Sequence, residues 1–214
     1  MKVKIRIPDN LNEVTLGQYQ KYLKLENLSE TELSFKMIEI FCNLDIESVR
    51  SLKATDIKGI SKIITDMFDS KPSLLHSFKL NDIEYGFINN LDEMTFGEYI
   101  DLDTYIGDWD NMEKAMGVLY RPIEHRKGGR YSIEEYKAKD TESLKDMPLD
   151  AVLGSILFFY HLGSELCQVM TNSLLEETEL NSLELNNLGL NMDGIQVFTH
   201  SLNQILDGLK ISLN

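Results

Sequence analysis

His161 and Glu165 stand one helical turn apart in an apolar stretch, a spacing that lets two side chains face one metal ion. A third ligand is missing nearby, so the pair reads as a buried or partly buried polar contact. The stretch "DLDTYIGDWD" gathers Asp101, Asp103, Asp108 and Asp110. A calcium loop wants oxygen donors at alternate positions, Gly at the sixth and Glu at the twelfth. Counted from Asp101, those two places hold Ile106 and Met112. The stretch reads instead as a solvated helix end, with Asp108 or Asp110 placed to cap a helix beginning near Asn111. His76, His125, His161 and His200 are scattered, and Cys42 and Cys167 lack CxxC spacing. Both cysteines read as buried free thiols. The phosphate-loop, dinucleotide, nucleophile-elbow and zincin patterns do not occur. The residues propose no catalytic centre, no cofactor and no metal, and the chain reads as a non-enzyme.

The bulk properties point the same way. With 214 residues, 43% of them hydrophobic and 26% charged, the chain can bury a core of its own. Its net charge of −14 argues against a main role on nucleic acid or an anionic membrane, since phosphates repel such a surface. The N-terminus "MKVKIRIPDN" reads as neither a signal peptide nor a lipidation site. No apolar run approaches the ~18 residues of a membrane span. A soluble protein made inside the cell is the expectation.

The elements that would hold these residues are marked by a repeat. "NLNEVTLGQY" at 10–19 returns as "NLDEMTFGEY" at 90–99. In each copy a Thr is followed three residues later by Gln or Glu: Thr15 with Gln18, Thr95 with Glu98. That is a capping box, in which the hydroxyl takes an orphan amide and the longer side chain reaches back. Val14 with Tyr19, and Met94 with Tyr99, supply the halves of a hydrophobic staple. Gly17 and Gly97 imply close backbone approach in both helices. Upstream, Val3, Ile5 and Ile7 predict a strand, as do Ile83, Tyr85 and Phe87. Phe78 and Leu80 before Asn81-Asp82 complete a β-hairpin, which the 3–7 strand could join as a third member.

The expected fold is mainly α with a small antiparallel β-sheet, an α+β protein of two tandem strand-helix-helix units plus a C-terminal helix. The first unit spans 1–77 and the second 78–175, with helices opening at Asp56 and Asp150 and an insertion at 124–146. His125, Arg126, Lys127 and Arg130 make a cationic spot in that insertion. It reads as a solvated loop around Gly128-Gly129, or as an arm for an acidic neighbour such as another copy. Residues 176–194 read as a linker. Residues 195–214 carry Ile195, Phe198, Leu202, Ile205, Leu206 and Leu209 at helical spacing. Such an amphipathic helix folds back on the core or docks on a partner. In the docking case Phe198, Leu202, Ile205 and Leu209 are the expected anchors.

The run "FKLNDIEYGFINNLDEMTFGEYIDLDTYI", followed by "MGVLYRPI", resembles the small tail-assembly proteins of tailed bacteriophages, including tail assembly chaperones and a baseplate assembly group. The likeness covers residues 76–123, and 150–175 more weakly. It rests on Leu91, Thr95, Gly97 and Glu98, then Leu119, Tyr120, Arg121 and Pro122. It implies a non-enzymatic role in building a phage particle, with phage structural proteins or copies of itself as partners and the host bacterial cytoplasm as its place of action. A structural virion component is the alternative, and a small enzyme or metal-binding protein a remote one.

Overall fold

Side-chain caps decide where several helices begin. Thr15 opens α1 (Leu16–Leu23), Ser29 opens α2 (Glu30–Phe41), Asp45 opens α3 (Ile46–Arg50), and Thr95 opens α5 (Phe96–Tyr105). In α1, α2 and α5 the capping box is complete, since Gln18, Glu32 and Glu98 each return a bond to the cap amide. Hydrogen bonds from Ser29 hold the Glu32 carboxyl below its ordinary pKa, and bonds from Ser48 do the same for Asp45. Helix α4 (Ala54–Phe68) has no side-chain cap. It is held by Ile57, Ile60, Ile64 and Met67, a buried stripe at steps of three and four. Asp108 caps the 3-10 turn Trp109–Asn111 that leads into α6 (Met112–Leu119), and α7 follows at Leu149–Thr178. The computed structural model describes residues 5–138 and 141–178, with side chains in α7 described as far as Glu165.

The chain is mainly helical, with one four-stranded antiparallel sheet in the order β1 (Ser77–Leu80), β2 (Ile83–Phe87), β3 (Tyr120–Lys127) and β4 (Arg130–Ile133). Asn81 and Asp82, both at positive φ (49° and 63°), make the two-residue turn between β1 and β2. Pro122, just past the end of α6, cannot continue that helix, and the chain runs directly into β3.

Two expectations are corrected here. Residues 5–7 belong to no strand, Val3 lies outside the described residues, and the strand that joins the β1–β2 hairpin is β3. The N-terminal corner pairs elsewhere: Leu16 N donates to Met147 O (3.0 Å) and Leu149 N to Val14 O (2.8 Å). The insertion, expected as a polar loop, instead gives the far half of β3, all of β4, and a 3-10 turn at Glu142–Asp146. Gly128-Gly129 is the hairpin turn, at φ 57° and 82°.

Two aromatic clusters centre the packing. Tyr19 meets Trp109 edge-on at 5.1 Å and Phe68 at 5.7 Å, while Phe41 meets Phe68 at 5.3 Å. Burial raises the Tyr19 hydroxyl to about 12 and the Cys42 thiol to about 11, so that thiol is protonated and unreactive at neutral pH. Against the sheet, Phe78 and Phe87 pack on Tyr120, whose hydroxyl donates to Leu75 O at 2.7 Å. Gly86 in β2 leaves the space that the Tyr131 ring from β4 fills. The chain divides into two compact units, Met1–Gly154 and Ser155–Asn214; the first contains both corners, the sheet and the start of α7.

Candidate functional site

The two repeated corners have the same local backbone. Asn10 and Asn90 each cap a 3-10 turn, Leu11–Glu13 and Leu91–Glu93, and the following cap threonine is extended in both (φ −96°, ψ 156° and φ −70°, ψ 158°). Thr15 N donates to Gln18 Oε1 at 2.9 Å, and Thr95 N to Glu98 Oε2 at 2.6 Å.

The third helical residue then does a second job in each corner, set by its chemistry. Gln18 has an amide to give: its Nε2 donates to Ile40 O at 2.7 Å, tying α1 to the end of α2. Glu98 has only oxygens, and its Oε1 accepts from Arg121 Nη1 at 2.9 Å, tying α5 to β3. Both partners of that ion pair are largely buried, with side-chain exposures of 5% for Glu98 and 12% for Arg121. A buried pair is costly to break on one side, because a desolvated charge is left behind.

What the corners present outward differs. At 100° per residue, positions one, four and five of a helix share one face. In α1 these are Leu16, Tyr19 and Gln20, exposed by 0%, 5% and 7%. In α5 they are Phe96, Tyr99 and Ile100, exposed by 77%, 56% and 45%. The buried polar member is satisfied: Gln20 Nε2 donates to Trp109 O at 2.7 Å and to Glu113 Oε2 at 2.9 Å. The exposed face is the more apolar of the two, which is the reverse of what burial alone selects. Gly97 lies beside it with nothing near its missing Cβ, whereas a Cβ on Gly17 would stand 3.2 Å from Lys145 O. Close backbone approach therefore holds at Gly17 and fails at Gly97.

Acidic groups border this face. Asp92 and Glu93 are exposed in the turn before α5, and Asp103 continues the arc of Phe96, Tyr99 and Ile100. At the start of the helix lies an open cleft of about 600 Å³, walled by Glu93, Thr95, Glu98 and Arg121 on one side and by Tyr131 to Tyr136 on the other. Glu134 and Glu135 bring two more carboxylates to it, while the charge of Arg121 is met by Glu98. Tyr136 donates to Asp101 Oδ2 at 2.6 Å; burial, then this bond, raises its pKa and keeps the phenol protonated. Arg121 Nε is buried and finds no acceptor among the described groups.

The residues singled out from sequence fall as follows. The four caps Thr15, Gln18, Thr95 and Glu98 form their boxes. Arg126 does not project as a free arm: it pairs with Glu84 at 2.6 Å and lies 5.6 Å from the Tyr131 ring centroid. Lys127 and Arg130 are exposed on either side of the hairpin turn. Phe198, Leu202, Ile205 and Leu209, with the expected C-terminal helix and nearly all of the linker, lie outside the described residues. His161 and Glu165 are both exposed, so the expected burial of that pair is corrected. Among the described residues no group of His, Cys, Asp and Glu is placed to hold a metal, and no helix is long and apolar enough to cross a membrane.

Sequence reasoning missed the face made by Phe96, Tyr99 and Ile100, and the bond from Arg121 to Glu98. The first left a trace: the apolar residues of α5 cover a wide arc, with Leu102 buried about 120° round the helix from Phe96, more than one core contact requires. The second spans distant positions and left none. Compared with protein-family models, curated proteins and solved structures, the chain matches nothing.

Proposed function

We propose that the chain is a non-enzymatic phage assembly protein, a tail assembly chaperone or baseplate assembly factor that acts in the host bacterial cytoplasm through protein–protein contacts. The observation that carries this reading is the exposed trio Phe96, Tyr99 and Ile100 on a helix whose start is fixed by a buried ion pair. Fully burying a Phe or Ile side chain is worth about 1.5–3 kcal/mol, and with Phe96 77%, Tyr99 56% and Ile100 45% exposed a good part of that gain is left for a partner to supply. A rigid support suits docking, since little order has to be gained on binding. The likeness of residues 76–123 to phage tail-assembly proteins supplies the biological setting; the exposed face supplies the physical means.

The test is genetic and structural together. Deleting the coding sequence from the phage should abolish finished particles. The wild-type chain supplied in trans should restore them, and the Phe96→Ser/Tyr99→Ser variant should not. Normal particle yield without the chain would contradict the proposal. Mass spectrometry of purified particles then separates an assembly factor, absent from them, from a virion component present in stoichiometric amount.

A further inference from the structure

We infer that the occupant of the α5 face is a basic amphipathic helix of a different protein, with apolar residues three and four apart and Lys or Arg along its flank. This rests on the reading of α5 as a docking surface and names the chemistry of what docks there. The apolar trio supplies a stripe about one and a half turns long, the footprint of a helix laid against a helix. Acidic residues stand at its two ends, Asp92 and Glu93 at one and Asp103 at the other. The cleft at the start of α5 is lined by Glu93, Glu134 and Glu135, and its cation Arg121 is matched by Glu98. A cationic flank on the partner meets Asp92, Glu93 and Asp103, while its apolar residues meet Phe96, Tyr99 and Ile100.

Other occupants fit less well. Two copies meeting through this face would bring their acidic borders together, with each molecule already at −14. An anionic membrane or a nucleic acid meets the same repulsion. Opposite charge at the border also speeds encounter and rejects acidic competitors.

The test uses the full chain and three labelled helical peptides of about 18 residues, followed by fluorescence anisotropy. One is an amphipathic Leu/Lys helix; the second replaces every Lys by Gln; the third keeps the Leu/Lys composition but scrambles the stripe. The inference expects the Leu/Lys helix to bind at least about tenfold tighter than either control. Phe96→Ala/Tyr99→Ala should weaken it by about tenfold or more, while Phe96→Leu retains most of the affinity. Asp92→Asn/Glu93→Gln/Asp103→Asn should weaken it several-fold and flatten its salt dependence. Equal binding of the Leu/Lys and Leu/Gln helices, with both weakened by Phe96→Ala/Tyr99→Ala, would overturn the basic partner and leave the docking face standing. Leu/Lys binding unaffected by Phe96→Ala/Tyr99→Ala, or no binding by any peptide, would overturn both. Dimerisation of the chain alone that is lost in Phe96→Ala/Tyr99→Ala would overturn the inference in favour of a second copy.

Discussion

Leu16, Tyr19 and Gln20 hold the same helical positions in the first corner as Phe96, Tyr99 and Ile100 in the second, yet the first three are buried and the second three face water. The caps match, the preceding 3-10 turns match, and the third residue of each helix reaches back to its threonine in both. What differs lies beyond the corner. Around α1 stand Trp109, Phe68, Glu113 and the 142–149 segment, and they close over it. Over the outer face of α5 nothing comparable stands among the described residues. A capping motif therefore fixes where a helix begins and at what angle, and leaves open which side of it the fold will cover. Here the repeated corner is buried once and exposed once.

The largest expected effect breaks the support of the exposed corner. Arg121→Ala leaves the Glu98 carboxylate buried without its cation, which should cost about 3–5 kcal/mol of stability in urea unfolding. A loss below about 1 kcal/mol would mean that the Thr95 amide satisfies Glu98 by itself. Next comes an exchange between the corners. Gln18→Glu keeps the bond to Thr15 N but turns a second oxygen toward Ile40 O, where the amide now donates. The expected cost is about 1–3 kcal/mol, read as a lower urea midpoint with unchanged slope. An unchanged midpoint would show that the link from α1 to α2 carries no weight.

The glycines sharpen the comparison with a smaller effect. Gly97→Ala should stabilise by up to about 1 kcal/mol, since alanine is the better helix former and nothing crowds the new Cβ. At Gly17 the same gain is opposed by Lys145 O at 3.2 Å, so Gly17→Ala should fall short of it. Equal gains at both sites would remove the close approach as a distinction between the corners.

What could be read from the sequence follows the range of the interactions involved. The caps at Thr15 and Thr95 and the Asn81-Asp82 turn depend on residues two or three apart, so their spacing was visible; the cap expected from Asp108 or Asp110 falls to Asp108, on a 3-10 turn before α6 rather than on the helix itself. The mainly helical character was visible for the same reason, as a periodicity of local stripes. The third strand was not. Val3, Ile5 and Ile7 alternate in sequence as a strand does, yet residues 5–7 form none and Val3 lies outside the described residues; Val14 and Leu16 bond instead to Leu149 and Met147. The place beside β2 goes to β3, whose far end reads as a charged loop because its His125, Arg126 and Lys127 are exposed. The exposed face stayed hidden because two nearly identical decapeptides cannot announce different fates. Burial is decided by what the rest of the chain brings against them. The bond from Glu98 to Arg121 was hidden likewise, since neither residue carries a local mark of the other.

Urea unfolding of two single variants at equivalent positions, Leu16→Ala and Phe96→Ala, measures the contrast most directly. Leu16→Ala should lose about 2–5 kcal/mol, as deletion of a fully buried side chain does. Phe96→Ala should stay within about 0.5 kcal/mol of the parent, as a substitution on an open surface does. Comparable losses at the two positions would put Phe96 inside a core, and the docking surface with its basic partner would go with it.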